Sequence, residues 1–203
     1  VQDAFGWPAK VAGSGFDVIG LPKEIPGLPY FVAMQVHGRG REMLYFNETR
    51  SSTPSSDLPF ANSPMDHIFI VILATPNREA TVAWYRDRLA LDVGDTYTIA
   101  YSMINNAFGL PSDTMSSLTM VQKGRMPIVE IDDYPPQTRV RRADLGCLPP
   151  GNSLVTLMVD SLDGIKADWI APPAHLSGPL YSGNRSATVL GPAGELLELV
   201  ERA

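Results

Sequence analysis

Three side chains of this sequence could together bind a metal ion: His67, Glu130 and Glu198. His67 stands at the head of the apolar run HIFIVILA, and each glutamate lies between apolar neighbours shortly after a glycine-containing turn. Imidazole and carboxylate ligands suit Zn, Ni, Fe and Mn, and catalytic sites often combine three protein ligands with open positions for water or substrate. These residue types therefore predict a divalent metal held by the three side chains.

Each of these residues also has a simpler explanation. A single histidine that begins an apolar strand is often only a strand-end residue with satisfied hydrogen bonds. Glu130 and Glu198 could lie hydrated at the rim of a sheet. If they are buried, alternation along a strand places Glu198 on one face with Leu196 and Val200, and Glu130 on one face with Asp132. Burial raises the pKa of a carboxyl group unless a cation or a hydrogen-bond donor compensates, and a metal ion is such a cation.

Internal repeats indicate how the chain positions these residues. Three segments each combine a glycine-containing turn with a strand: GRGREMLYFNE (38–48), KGRMPIVEIDD (123–133) and GPAGELLELVER (191–202). Their alignment places Tyr45, Glu130 and Glu198 at one position. A second pair of similar segments, at 67–85 and 152–170, shows a strand followed by a helix in both copies. Such self-similarity predicts repeated structural modules.

The apolar run 67–74 predicts a buried strand. Thr75 and Pro76 then suit the N-cap and first position of a helix, and apolar residues recur at helical spacing as far as Leu89. Further strands are predicted at 92–103, 117–122 and 126–132. The second copy has a predicted strand at 153–160, a helix at 161–171, and strands near 180–189 and 195–201. Residues 1–50 resemble the tail half of another module, without its opening strand and helix.

The predicted fold class is therefore α+β. We expect paired βαβββ modules that form a curved, cup-like mixed sheet with helices outside, preceded by a partial third module. The predicted organisation is a partial module at 1–50, a linker at 51–64, and a two-module domain at 65–203 whose modules cover 65–135 and 151–203. Because the chain starts with Val1 in the middle of a module, we expect it to be part of a longer polypeptide or to receive its first strands from elsewhere.

These features resemble the vicinal oxygen chelate superfamily, the group of glyoxalase, methylmalonyl epimerase, extradiol dioxygenase and bleomycin-resistance proteins. The similar features are the paired modules, the DH that opens the first strand, AWYRDRLAL in the helix and GPAGELLELVE in the last strand. The resemblance covers about 67–203 and, in part, 15–50. A gapless alignment places Ile70 at the first ligand position, and an insertion in LATPNRE restores His67.

The resemblance implies a metal-dependent enzyme of the glyoxalase or epimerase type, a lyase or isomerase acting on a small molecule with vicinal oxygens. The metal would act as a Lewis acid that stabilises an enediolate, and Glu198 or Glu130 would move the proton. The alternative is a metal-free small-molecule-binding protein of the bleomycin-resistance type. A ring-cleaving dioxygenase is less favoured, because matching positions do not supply a second histidine for an iron site.

Five further residues are candidates for substrate binding: Tyr101, Asn105, Phe108, His175 and Tyr181. The first three lie in YSMINNAFGLP (101–111), where amide and aromatic side chains could line a pocket. The alternative for the asparagine is local turn capping. The last two lie in a loop rich in glycine and proline that could cap a concave site or simply be exposed.

Composition limits the partners. The 203 residues carry a formal charge of −6, which disfavours binding to a phosphate backbone, so no nucleic acid partner is expected. The longest apolar stretch, IFIVILA, is far shorter than the roughly 20 residues of a membrane helix, so no membrane partner is expected. A lone cysteine, Cys147, forms no internal disulfide, and the predicted location is cytoplasmic. Open sheet edges and the partial module favour a homodimer.

Overall fold

In a computed structural model, which describes residues 1–202, the chain forms eleven β-strands, three α-helices and one 3-10 helix at Ala4–Gly6. The strands form one three-stranded and two four-stranded sheets. The predicted α+β class with βαβββ modules is confirmed. Within the described residues, no helix combines the length and the apolar character needed to cross a membrane.

The first sheet is an antiparallel meander in the order β1-β2-β3. Its strands are β1 (Asp17–Ile25), β2 (Leu28–His37) and β3 (Met43–Thr49), and a short helix α1 (Trp7–Val11) precedes them. The sequence pattern did not indicate this short helix, and among the described residues no strand precedes it. Trp7 packs edge-on against Phe46 of β3, with 5.0 Å between ring centroids, and Met34 and Val36 of β2 complete a small separate core.

The second module has the predicted strand-helix-strand-strand-strand order, with one further short helix between its second and third strands. It contains β4 (Val71–Thr75), helix α2 (Arg78–Leu89), β5 (Asp92–Ala100), helix α3 (Ser102–Phe108), β6 (Met115–Lys123) and β7 (Met126–Asp133). The sheet order is β4-β7-β6-β5, with β4 parallel to β7. The helix α2 is capped by Asn77, whose side chain accepts from the backbone N–H of Ala80 at 3.1 Å, rather than by Thr75 as the Thr-Pro pair predicts.

The third sheet has the same strand order, β8-β11-β10-β9. Its strands are β8 (Leu154–Val159), β9 (Trp169–His175), β10 (Arg185–Leu190) and β11 (Leu196–Glu201). The predicted helix at 161–171 is wrong, because the chain forms turns there and Trp169 begins β9. Gly164 adopts φ 85°, which a helix does not allow, and Pro172 and Pro173 follow on an edge strand where their missing N–H groups are tolerated.

The second and third sheets share one hydrophobic core. Alternate residues of β7, Val129 and Ile131, belong to the same buried cluster as Leu197 and Leu199 of β11. Because successive strand residues point to opposite faces, Glu130 and Glu198 lie on the faces turned away from this shared core. The face of the second sheet that carries Glu130 is covered by the first sheet, since Asn47 of β3 lines the same small cavity as Glu130.

Candidate functional site

A buried pair of carboxyl groups lies on one face of β7. Glu130 pairs in register with Ile72 of β4 and Met120 of β6, and Asp132 follows two residues later on the same face. Asp132 is only 1% exposed. Glu130 keeps partial exposure because its side chain lines a small cavity. The predicted alternation of Glu130 and Asp132 along this strand is thus observed.

Three tyrosines surround the carboxyl pair. Tyr45 comes from β3 of the first sheet, Tyr101 directly precedes α3, and Tyr134 directly follows β7. Each of the three is close enough to Glu130 and Asp132 for their charges to raise its pKa. The first sheet therefore packs over the carboxyl pair, and the two sheets together form a cup with acidic and phenolic groups inside.

Several polar atoms in this cup have no hydrogen-bond partner within the described residues. They include both carboxyl oxygens of Asp132, the hydroxyl of Tyr45 and the amide oxygen of Asn47. Buried polar groups are nearly always hydrogen-bonded, because leaving one unpaired costs about 1–3 kcal/mol. The side chains that come within reach of two of these groups belong to the cup itself: Glu130 lies beside Asp132, and Tyr101 and Tyr134 lie beside Tyr45. No N–H group of the described residues donates to any of the four atoms.

Burial controls the ionisation of the cup. It raises the pKa of Glu130 to about 7. Burial, and then the charge of Glu130, raise the pKa of Asp132 well above its ordinary value. Burial also raises the pKa of Tyr134 to about 12 and the pKa values of Tyr45 and Tyr101 above those of free tyrosine. The phenols are therefore neutral at neutral pH, and both carboxyl groups hold their protons to a higher pH than exposed carboxyl groups do.

The cup is closed by the segment that joins the first two modules. The remaining cavity measures about 20 Å³, which is about the space of one water molecule. Its lining comes from the first sheet, the second sheet and the joining segment: Phe31, Asn47, Thr49, Leu58, Phe69, Ile70, Met120 and Glu130. Leu58, Phe69 and Ile70 are the lining residues that the joining segment contributes.

His67 lies outside this cup. Its side chain is 60% exposed, and Nδ1 lies 2.9 Å from Oδ1 of Asp66. Strand β4 begins only at Val71, so His67 belongs to an irregular segment and not to the predicted strand 67–74. The backbone N–H of Asn62 and the His67 ring lower the pKa of Asp66 to about 2. The structure thus places His67 at the surface, with its side chain beside Asp66 and before β4 begins.

Glu198 belongs to a different polar cluster, on the third sheet. Its carboxylate accepts hydrogen bonds from Thr156 Oγ1 at 2.6 Å, from the Tyr181 hydroxyl at 2.8 Å and from Ser186 Oγ at 3.3 Å. The candidate substrate-binding residue Tyr181 is therefore brought to Glu198, but neither residue contacts the carboxyl pair of the cup. Three hydroxyl donors compensate the burial of Glu198 without a cation.

The expected metal site does not form. Within the described residues, no three or more His, Cys, Asp or Glu side chains lie close enough together to hold a metal ion. His67, Glu130 and Glu198 remain apart because the shared core turns Glu130 and Glu198 to opposite sides, while His67 is held at the surface. The cup supplies only two carboxylates, fewer than the three protein ligands of a typical catalytic centre, so the residues present do not fit the metal that the resemblance implies.

The other candidate substrate-binding residues lie partly in the cup and partly elsewhere in the chain. Tyr101 lies in the cup, and Phe108 packs edge-on against Tyr134 with 6.0 Å between ring centroids. Asn105 is buried, and its Nδ2 donates to the backbone carbonyls of Ser112 and Thr114, which agrees with the turn-capping alternative. His175 is exposed, with Nδ1 at 2.8 Å from a backbone oxygen in the same loop.

Sequence reasoning did not propose Asp132, Tyr134 or Tyr45 as site residues. The spacing of EID, with two acids on one strand face, was the available signal for Asp132. The repeat alignment placed Tyr45 and Glu130 at equivalent positions of their modules, but it did not show that the two side chains lie close together. No local pattern indicates Tyr134, which reaches the cup only because β7 ends beside it.

Comparison with known proteins supports the fold. The sequence matches no protein-family model and no curated protein. Two solved structures of glyoxalase I mutants from Zea mays match 99% of this chain at 12% identity, with TM-scores of 0.63 and 0.64. A glyoxalase family protein from Bacillus cereus matches 70% of this chain and 98% of its own at 15% identity, with a TM-score of 0.50.

These likenesses show that the fold is similar to that of glyoxalase I and of a glyoxalase family protein, as the resemblance in the sequence implies. This chain spans 64% and 65% of the two maize chains. At such identities the comparison establishes the fold alone.

Proposed function

We propose that the chain binds a small organic cation, such as an amine, in the cup between the first and second sheets. The observation that carries this proposal is the burial of the Asp132 carboxyl group beside Glu130, where neither Asp132 oxygen accepts a hydrogen bond from an N–H or hydroxyl group of the described residues. An unpaired buried carboxylate is costly, and a cation that donates hydrogen bonds would remove that cost. This is the metal-free alternative that the sequence left open.

The aromatic side chains of the cup support a cationic ligand. The rings of Tyr45, Tyr101 and Tyr134 surround the carboxyl pair, and the face of an aromatic ring attracts a cation by about 0.5–2 kcal/mol. The Asn47 amide oxygen is an unpaired group that could accept a hydrogen bond from such a ligand, and the Tyr45 hydroxyl lies beside Tyr101 and Tyr134 in the same cup. A neutral apolar ligand would leave all of these groups unsatisfied.

Entry of the ligand requires the joining segment to move, because the closed cavity is about 20 Å³. Phe69 and Ile70 precede β4 and lie outside regular secondary structure, and the neighbouring Ile68 is 81% exposed. Few backbone hydrogen bonds hold this stretch, so its displacement costs less than opening either sheet. We infer that a bound ligand replaces Phe69 and Ile70 in the cup.

The proposal is tested by calorimetric titration with a panel of small amines and their neutral and carboxylate isosteres. Amines should bind to the unmodified protein, and Asp132→Asn and Glu130→Gln should weaken binding about 10-fold or more. The matched control is Glu198→Gln, which changes the equivalent repeat position on the third sheet and should leave amine binding unchanged. Affinity should rise with pH through about 7 as Glu130 loses its proton. Equal binding of amines and neutral isosteres would refute the proposal.

A second candidate function is proton transfer on a small molecule with vicinal oxygens. Its support is the raised pKa of Glu130, since a carboxyl group with a pKa of about 7 can both accept and donate a proton near neutral pH. In this lyase or isomerase hypothesis Glu130 would act as the base, and Glu198 would have no part because it lies on the third sheet. The test is exchange of the carbon-bound protons of dihydroxyacetone in D₂O, followed by NMR. Exchange that is equal in the protein and in Glu130→Gln would exclude it.

A homodimer and a cytoplasmic location stay predictions. The third sheet supports the first of these, because the face that carries Glu198 exposes Leu154, Met158 and Leu190. Sedimentation velocity should give about twice the 22.1 kDa of one chain, and a monomer at micromolar concentration would contradict the dimer.

A further inference from the structure

A second pocket is lined by arginines and is therefore basic, whereas the cup is acidic. It is an open depression of about 950 Å³. Its lining residues are Arg41, Arg139, Val140, Arg141, Arg142 and Pro150. We call it the arginine pocket. Arg41 lies in the turn between β2 and β3, and the other five residues belong to the segment that joins the second and third modules.

Specific contacts hold the two parts of the arginine pocket together. Arg141 donates to the backbone oxygens of Pro150 at 2.6 Å and Asn152 at 2.9 Å, which folds the segment back on itself. The Asn152 side chain in turn donates to the backbone oxygen of Met43 at 3.1 Å, next to the turn that carries Arg41. The pocket is therefore built by contacts between distant parts of the chain.

Gly151 allows this close approach. Its φ is 85°, and a Cβ at this position would lie 2.7 Å from the backbone oxygen of Arg41. Only glycine can adopt this backbone conformation without strain and leave room for the turn. The position of Arg41 against the segment thus depends on the residue type at position 151.

The positive charges of the arginine pocket are not compensated by the chain. Arg78, Arg125 and Arg185 each form an ion pair with a carboxylate. Among the described residues, no carboxylate forms an ion pair with any of the four arginines of the pocket. This cluster of four cations stands in a chain whose formal charge is −6.

We propose that the arginine pocket binds a small molecule that carries two or more phosphate or carboxylate groups. Guanidinium groups form paired, charge-assisted hydrogen bonds with such anions, and an anion would relieve the repulsion among four neighbouring cations. The side chain of Arg141 is engaged with backbone carbonyls and positions the segment. Arg41, Arg139 and Arg142 make no side-chain hydrogen bond within the described residues and are available to the ligand.

The volume of the arginine pocket suits this ligand class, since ligand sites commonly measure about 300–1,000 Å³. Unlike the closed cup, the pocket needs no displacement of the chain. The two sites also prefer ligands of opposite charge, so binding at the arginine pocket is independent of the function proposed for the cup. Each site can be tested while the other is unchanged.

Calorimetric titration of the full chain with inorganic pyrophosphate at low ionic strength tests the proposal. We expect a dissociation constant of about 0.1 mM or tighter, weakened about 10-fold or more when orthophosphate replaces pyrophosphate. Arg41→Gln and Arg142→Gln should each weaken pyrophosphate binding about 5- to 10-fold. All these side chains are exposed and unpaired, so denaturation of the unliganded variants should match that of the unmodified protein.

The matched control is Arg39→Gln, which removes one positive charge from the same turn as Arg41 but from outside the pocket lining. It should change pyrophosphate affinity by no more than about twofold. No detectable binding of pyrophosphate, or an equal loss in the Arg39 and Arg41 variants, would show that these arginines are only a solvated surface. Tighter, arginine-dependent binding of a DNA duplex would overturn the proposal in favour of a nucleic acid partner.

Discussion

The buried carboxyl pair predicts an unusual dependence of stability on pH. Unfolding returns Glu130 from a pKa of about 7 to its ordinary value of 4.5. Because the folded state holds the proton more tightly, the stabilisation is complete below pH 4.5 and is lost as pH rises through about 7. A tenfold change in proton affinity corresponds to about 1.4 kcal/mol, so Glu130 alone should lower the free energy of unfolding by about 3 kcal/mol across this window. Asp132, whose pKa is also raised, adds to the loss in the same direction.

Replacing both acids by their amides, in Glu130→Gln with Asp132→Asn, should remove this dependence. The assay is urea unfolding at a series of pH values between 4.5 and 8, and the quantity compared is the difference in unfolding free energy between the protein and the double variant. The protein should lose stability relative to the variant as pH rises. Groups such as Asp66, whose pKa is lowered, act below this window and are present in both proteins.

A matched control is Val129→Ala, which changes the opposite face of the same strand. Val129 is 2% exposed within the shared core, and its truncation should lower stability by about 1–3 kcal/mol at every pH. If the difference between the protein and the double acid variant were also constant with pH, the carboxyl pair would be ionised and hydrated, and the case for an unsatisfied acidic cup would fail.

Three other substitutions test the contacts that position the sites. Tyr85→Phe removes a hydroxyl that donates to Glu195 at 2.8 Å. Because Tyr85 is only 1% exposed, the free energy of unfolding in urea should fall by about 1–2 kcal/mol, and an unchanged value would contradict the hydrogen bond. Gly151→Ala should detach the arginine-bearing segment from the turn of Arg41, so trypsin should cleave the segment faster than in the unmodified protein, and equal rates would show that the close approach is absent. Asn77→Ala removes the cap of α2 and should cost about 1 kcal/mol in the same denaturation assay, whereas no loss would mean that water replaces the cap.

Much of the architecture was predictable because the second module follows local rules. The apolar run before α2, the helical spacing up to Leu89 and the alternating strands indicated this βαβββ unit correctly, and the strand pattern placed Glu130 and Asp132 on one face. The third module departs from its repeat partner between β8 and β9. There the similarity on Trp84 and Trp169 predicted a helix, but the positive φ of Gly164 and the two prolines after Ile170 favour turns and an edge strand.

The composition of the site could not be predicted, because it depends on which faces of which sheets meet. A repeat alignment shows that two residues are equivalent within their modules and does not show that they face the same space. The shared core joins the Val129 face of β7 to the Leu199 face of β11. Burial of these large apolar surfaces stabilises the pair of modules and necessarily turns Glu130 and Glu198 apart. The first module, which the sequence showed only in part, supplies the missing wall of the cup.

The three equivalent repeat positions show how the surroundings decide the chemistry. Tyr45 is a neutral phenol that faces the acid pair, whereas Glu198 receives three hydroxyl donors from its own module and needs no other partner. Among the described residues, no hydroxyl group donates to Glu130, and the residue two positions later is Asp132 where the third module has Val200. A second acid on the same buried face raises the cost of ionisation, because two like charges would lie close together. The cation site that we propose therefore belongs to the cup, although the glutamate that first indicated a cation occurs twice in the sequence.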